Sequence, residues 1–281
     1  MAAGIAGATV LVTGGNTGLG KETAVELARM GAHVTFTARD RDRGAAAHAE
    51  IVERSGRDDV EVLHLDLGDL DDVKRAAAAF TARHDRLDVL VLNAGAQLRK
   101  RERTSEGVDV MLATNHIGPF LLTQELLPLL QRSAPARIVV VASDAHKFSK
   151  LHLDDLHAER GYGILGMPRY GETKLMNILF TRELARRLEG TGVTVNAVHP
   201  GAVATNLGNP PAFLRPIVDR ILKTPAQGAA TSITVATDPA LADTSGAYFA
   251  NSKRADQKLN KHARDDADAA ALWDASVAIC N

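Results

Sequence analysis

Tyr170 and Lys174 stand four residues apart in the segment Tyr170-Gly171-Glu172-Thr173-Lys174. On a helix that spacing places both side chains on one face. At 3.6 residues per turn the same face carries Thr181, Leu184, Ala185 and Leu188, so it is the face expected to be buried. A lysine on a buried face is costly unless a partner or a task compensates. A neighbouring ammonium favours phenolate over phenol, so Lys174 is expected to lower the pKa of Tyr170 and make it a general acid/base. Tyr-x-x-x-Lys also occurs in ordinary amphipathic helices, so its meaning depends on its surroundings.

The second cluster is Thr13-Gly14-Gly15-Asn16-Thr17-Gly18-Leu19-Gly20, between an apolar run at 8–12 and a helix-like stretch at 18–30. Glycines there permit a tight turn and a close approach of the backbone to a pyrophosphate at a helix N-terminus. The spacing Gly-x-x-x-Gly-x-Gly is a variant of the Gly-x-Gly-x-x-Gly fingerprint. An acidic residue about 20 positions further on would bind the ribose hydroxyls of NAD. Ala38 occupies that place and Arg39 follows, and a guanidinium suits a 2′-phosphate. NADP(H) is therefore favoured over NAD(H), while Asp40 keeps NAD open. Asp66 could accept a hydrogen bond from an adenine amino group or cap the next helix. Asn93-Ala94-Gly95 could hold the cofactor or make a turn. Ser143 ends a β-branched strand, where its hydroxyl could hold a carbonyl oxygen or simply turn the chain. Asn115 lies in an apolar helix, where its amide needs a partner.

Strand-like and helix-like segments alternate to position these groups. The strands fall at 8–12, 33–37, 60–65, 89–92, 138–142, 193–198 and 246–250. The helices fall at 18–30, 40–54, 69–83, 107–130, 169–188 and 226–237. This alternation implies one domain over 1–281: a doubly wound, Rossmann-type parallel sheet of about seven strands with helices on both faces. Near-continuous apolar strands fit a sheet covered on both sides. Two long segments, 144–168 and 202–224, follow C-terminal strand ends and are expected to wall a substrate pocket. Leu175 and Leu179 project from the other side of the Tyr170 helix. Either a loop or another subunit must cover them, and a homodimer or homotetramer through this helix and 107–130 is expected.

Composition narrows the class. The chain has 281 residues, 45% hydrophobic, with a net charge of −1, which suits a globular protein with a sizeable core and argues against a general nucleic-acid or anionic-membrane binder. No apolar run approaches the roughly 18 residues of a membrane span. The single cysteine, Cys280, allows no internal disulfide, so a cytoplasmic setting is expected. His146, His152 and His157 are spaced unlike metal ligands, and no metal site is expected. The acidic run at 265–268 reads as a solvated helix face.

Taken together, Thr13-Gly-x-x-x-Gly-x-Gly20, Asn93-Ala94-Gly95, Asn115, Ser143, Tyr170-x-x-x-Lys174 and Pro200-Gly201 resemble the short-chain dehydrogenase/reductases, in order and over residues 8 to about 250. The stretches Asp154-Asp155-Leu156, 174–180 and Val198-His199-Pro200-Gly201 are similar to the retinol dehydrogenase-like branch, although Thr173 stands where that branch commonly has serine. The resemblance implies Tyr170 as proton donor or acceptor, Lys174 as its helper and ribose ligand, Ser143 as the group polarising a carbonyl, and Asn115 as holder of a water. It implies cofactor contacts from Gly14, Asn16, Thr17, Gly18, Leu19, Gly20, Arg39, Asp66, Leu67, Asn93, Ala94 and Gly95. Tyr170, Lys174, Pro200, Gly201, Val203 and Thr205 complete that set. The activity so implied is interconversion of a carbonyl and an alcohol on a fairly large apolar substrate. Alternatives are reduction of a carbon–carbon double bond, or a non-catalytic NADP-binding sensor.

Overall fold

A computed structural model describes residues 4–201 and 223–281. Among the described residues eight strands form one sheet in the order β3-β2-β1-β4-β5-β6-β7-β8. They are β1 (Thr9–Val12), β2 (His33–Ala38), β3 (Glu61–His64), β4 (Val89–Leu92), β5 (Ala136–Val141), β6 (Val193–His199), β7 (Tyr248–Ala250) and β8 (Lys253–Arg254). The first seven run parallel, and the two-residue β8 returns antiparallel along β7. The count is one above the expected seven, because β8 is too short to show a period.

Alternate residues of the central strands feed two apolar layers, as period 2 requires. Leu11, Leu90, Ile138 and Val140 pack with Phe120, Leu126 and Phe180 on one face. Val10, Val12, Val89, Val91 and Val139 pack with Val25, Ala28 and Val235 on the other. Helices α1 (Gly18–Arg29), α2 (Arg41–Ser55) and α3 (Leu70–Thr81) link the first four strands. Asp40 and Asp69 cap α2 and α3, accepting from the amides of Arg43 at 2.8 Å and Asp72 at 2.9 Å. After β4 come a short α4 (Val110–Leu112), a π-helical stretch Ala113–Ile117, and α5 (Gly118–Arg132). Next are α6 (Met167–Arg187), which carries Tyr170, then α7 (Pro225–Thr237) and α8 (Asp266–Cys280).

The C-terminal α8 corrects one expectation. Asp265 caps it, accepting from the amides of Ala267 and Asp268, so the acidic run is a helix start as well as a solvated face. Ala269 and Leu272 of α8 share an apolar cluster with Leu175 and Leu179 of α6, both fully buried. The outer side of α6 is thus covered by the chain's own last helix. Leu175 and Leu179, expected to need a loop or another subunit over them, are buried within the chain itself. The segment 144–168 contains three 3-10 turns, at Asp144–Phe148, Leu153–Asp155 and Ile164–Gly166. Most of the second long segment, with Val203 and Thr205, lies outside the described residues. Among the described residues no helix is long and apolar enough to cross a membrane.

Candidate active site

The sheet order reverses between β1 and β4, which opens a crevice at their C-terminal ends. Hydrogen bonds tie those ends together. Thr13 Oγ1 accepts from the amides of Asn93 at 2.9 Å and Ala94 at 3.0 Å, and Asn93 Nδ2 donates to Thr13 O at 2.9 Å. Gly14 and Gly18 have φ of +66° and +55°, where glycine is favoured. A Cβ on Gly20 would stand 2.3 Å from Gly14 O and 2.4 Å from Asn93 Nδ2, so only glycine lets α1 start this close to the turn. Thr17, at the start of α1, makes no side-chain cap, and the first turn holds no acid. Its amides are left for an external anion. This cradle fits the pyrophosphate of a dinucleotide.

One cleft of about 1040 Å³ gathers the expected residues. Gly14, Asn16, Thr17, Gly18, Leu19 and Gly20 line it at the first turn. Arg39, Asp66 and Leu67 line it on the β2–β3 side, with Asn93, Ala94 and Gly95 beyond β4. Ser143, Tyr170, Lys174, Pro200 and Gly201 line the β5–β6 side. Arg39 is largely exposed, with Nε 3.9 Å from Asp66 Oδ2. Asp66 accepts from Gly68 N at 2.8 Å, forming a local turn, while Asp69 is the cap of α3. Thr37, Gln97 and Thr114 also line the cleft and were not anticipated. Thr37 precedes Ala38-Arg39 at the end of β2, a position that marks it in the sequence, and its hydroxyl accepts from Gly14 N at 3.1 Å.

Asn115 lies behind the cleft wall and is fully buried in the π-helical stretch. Its Oδ1 accepts from Ala96 N at 2.6 Å, and its Nδ2 donates to Ala96 O at 2.9 Å and Thr173 Oγ1 at 3.0 Å. Thr173 Oγ1 in turn donates to Tyr170 O at 2.8 Å. The side chain of Asn115 is therefore a strut between the 93–97 loop and the Tyr170 helix, and a threonine hydroxyl at position 173 completes it.

Lys174 is 3% exposed. Its Nζ donates to Val141 O at 3.1 Å, beside Asn177 Nδ2 at 3.2 Å from the same oxygen. Burial lowers its pKa to about 8. Tyr170 packs with Leu98, Met111, Ala158 and Tyr162. Burial pushes its phenol above the ordinary tyrosine range, and the Ser143 hydroxyl partly offsets that rise. This differs from the expected lowering by Lys174: its ammonium stands 5.6 Å from the Tyr170 ring centre and is directed at Val141 O. Among the described residues no group of acids, histidines or cysteines could hold a metal ion.

This arrangement has known counterparts. The family model for short chain dehydrogenases matches residues 8–154 and 157–211. Human retinol dehydrogenase 14 is 42% identical over 96% of this chain and 85% of its own length. Bovine dehydrogenase/reductase SDR family member 13 is 43% identical over 98% of this chain and 73% of its own. Among solved structures, an uncharacterised protein from Mycobacterium paratuberculosis superposes with a TM-score of 0.79 at 33% identity, covering 99% of this chain and 94% of that one. The Pseudomonas aeruginosa RhlG/NADP active-site complex superposes with a TM-score of 0.69 at 28% identity, covering 88% and 95%. With the family model matched over most of the chain and relatives above 40% identity, the chain belongs to the short-chain dehydrogenase family of oxidoreductases.

Proposed function

We propose that the protein interconverts a carbonyl and an alcohol with NADP(H), acting on a fairly large apolar substrate, with Tyr170 as general acid/base. The observation that carries this reading is the meeting of Ser143, Tyr170 and Lys174 in the same cleft as the glycine turn. The nicotinamide cofactor supplies the hydride, and the protein supplies position and electrostatics. Charge developing on a carbonyl oxygen is met by the Ser143 hydroxyl and by the Tyr170 phenol, which donates its proton. A phenol whose pKa lies above the ordinary value is protonated at neutral pH, which is the form needed for reduction.

Arg39 supports the NADP preference. It is the cation on the adenosine side of the cleft, while Asp40, the acid that would favour NAD, is occupied as the cap of α2. The apolar cluster around Tyr170 supports an apolar substrate, as do the retinol dehydrogenases among the relatives. A reducing, cytoplasmic setting fits a single cysteine whose thiol burial pushes up to about 11, away from ready oxidation. Initial rates on a panel of apolar aldehydes, ketones and alcohols, with NADP(H) and NAD(H) in parallel, test the proposal. Carbonyl reduction with kcat/KM at least about 10-fold higher for NADPH is expected, as one charge-assisted contact supplies. Equal use of the two cofactors would overturn the preference, and absence of turnover on every compound would overturn the reaction.

A further inference from the structure

Arg169, immediately before Tyr170, is 2% exposed and lies in the first turn of α6. A cation there opposes the helix dipole, and a buried guanidinium needs full pairing. Its partners come from three parts of the chain. Nε and Nη2 both donate to Asp109 Oδ1 at 3.1 Å. Nη1 donates to Glu172 Oε2 at 2.9 Å, and Nη2 also donates to Leu156 O. Asp109 is fully buried and caps α4 by accepting from Leu112 N at 2.9 Å, while its Oδ2 accepts from the Tyr162 hydroxyl. Glu172 Oε1 accepts from His152 N at 2.9 Å and lies 3.0 Å from His152 Nδ1.

We propose that Arg169 is the positioning residue for Tyr170, clamping the tyrosine turn to the helix that leads to Asn115 and to the 152–162 part of the substrate wall. The inference rests on the reading of Tyr170 as the proton donor. Helix α6 is preceded by Gly166 in the left-handed region, with Pro168 in its first turn and no side-chain cap. Arg169 and its two carboxylates supply the ion pairs of that turn, beside a contact of Gln97 Nε2 with Met167 Sδ at 2.8 Å. The Asn115–Thr173–Tyr170 O chain holds the same pair of helices after Tyr170, and Asp109–Arg169 holds them before it. Tyr170 is therefore fixed from both sides. Loss of one fastening lets the phenol shift, and a displacement of about 1 Å can cost about 100-fold in rate.

Arg169→Lys keeps the charge but cannot span two carboxylates and a carbonyl together. It is compared with Arg169→Ala and Tyr170→Phe for kcat, KM and NADPH affinity by fluorescence titration. A separate cavity of about 650 Å³, lined by Arg169 and Glu172 and distinct from the cofactor cleft, gives small cations a route to the vacated position. The expected result for Arg169→Lys is a kcat lower by about 10-fold or more with NADPH affinity within about 3-fold of wild type. Added guanidinium should raise kcat of Arg169→Ala by about 5-fold or more without affecting wild type or Tyr170→Phe. Arg169→Lys carries the test alone should the alanine variant not fold. Wild-type kcat in Arg169→Lys, or a parallel loss of kcat and cofactor affinity, would overturn the inference. Wild-type turnover by Tyr170→Phe would instead overturn the reading of Tyr170.

Discussion

Lys174→Met removes an ammonium from one of the most enclosed sites in the protein and replaces it with an apolar chain of similar length. The lysine is 3% exposed, and burial alone lowers its pKa from 10.5 to about 8. At about 1.4 kcal/mol per pKa unit, the charged form carries a penalty of about 3 kcal/mol. Loss of the hydrogen bond to Val141 O offsets about 1 to 2 kcal/mol of that. Val141 O is not orphaned, because Asn177 Nδ2 stays 3.2 Å away. The variant is therefore expected to be more stable than wild type by about 1 to 2 kcal/mol at about pH 7, while turnover falls. The pH dependence has a definite sign. The folded pKa lies below the unfolded value, so the unfolded chain binds more protons between about pH 8 and 10.5, and wild-type stability rises with pH across that window. The advantage of the variant must shrink over the same range. Urea unfolding of both proteins at about pH 7 and about pH 9.5 measures it. A variant less stable at about pH 7, by an amount unchanged at about pH 9.5, would refute the claim that Lys174 is held at a cost.

Two further outcomes follow from the cofactor cleft. Arg39→Ala should raise the KM for NADPH by about 10- to 100-fold, the value of a charge-assisted contact of about 1.5 to 3 kcal/mol, and change that for NADH by less than about 3-fold; steady-state kinetics with both cofactors decide this. Gly20→Ala places a carbon 2.3 Å from Gly14 O, so fluorescence titration should show dinucleotide binding lost, with the far-UV circular dichroism retained.

The parts of the site legible in the sequence are those whose chemistry is local. The glycine turn is written in consecutive residues, and Tyr170 and Lys174 share a helix face by spacing alone. The strands β4 and β5 were visible because they are buried on both faces and read as apolar runs. Long-range pairings were not legible. Asp109 lies 60 residues from Arg169, and neither carries a periodic signal that would join them. The C-terminal helix shows in the sequence only as the acidic face at 265–268. Its buried Ala269, Leu272, Trp273 and Ser276 follow the i, i+3, i+4, i+7 pattern of one face, but alanine on every side hides that stripe in the sequence. The cover that this helix gives Leu175 and Leu179 is therefore not legible from the periodicity of the Tyr170 helix alone. The rise in the Tyr170 pKa is illegible in the sequence for a related reason. Spacing shows that a lysine is near, whereas only the packed structure shows that its ammonium faces Val141 O and that apolar residues surround the phenol.

The account turns on Tyr170 as the group that moves the proton. Its direct test is turnover of Tyr170→Phe on whichever carbonyl the wild type reduces, with NADPH affinity measured on the same sample. Loss of kcat by about 100-fold or more, with cofactor affinity within about 3-fold of wild type, is the predicted result. A kcat equal to that of wild type, with cofactor bound, would contradict it.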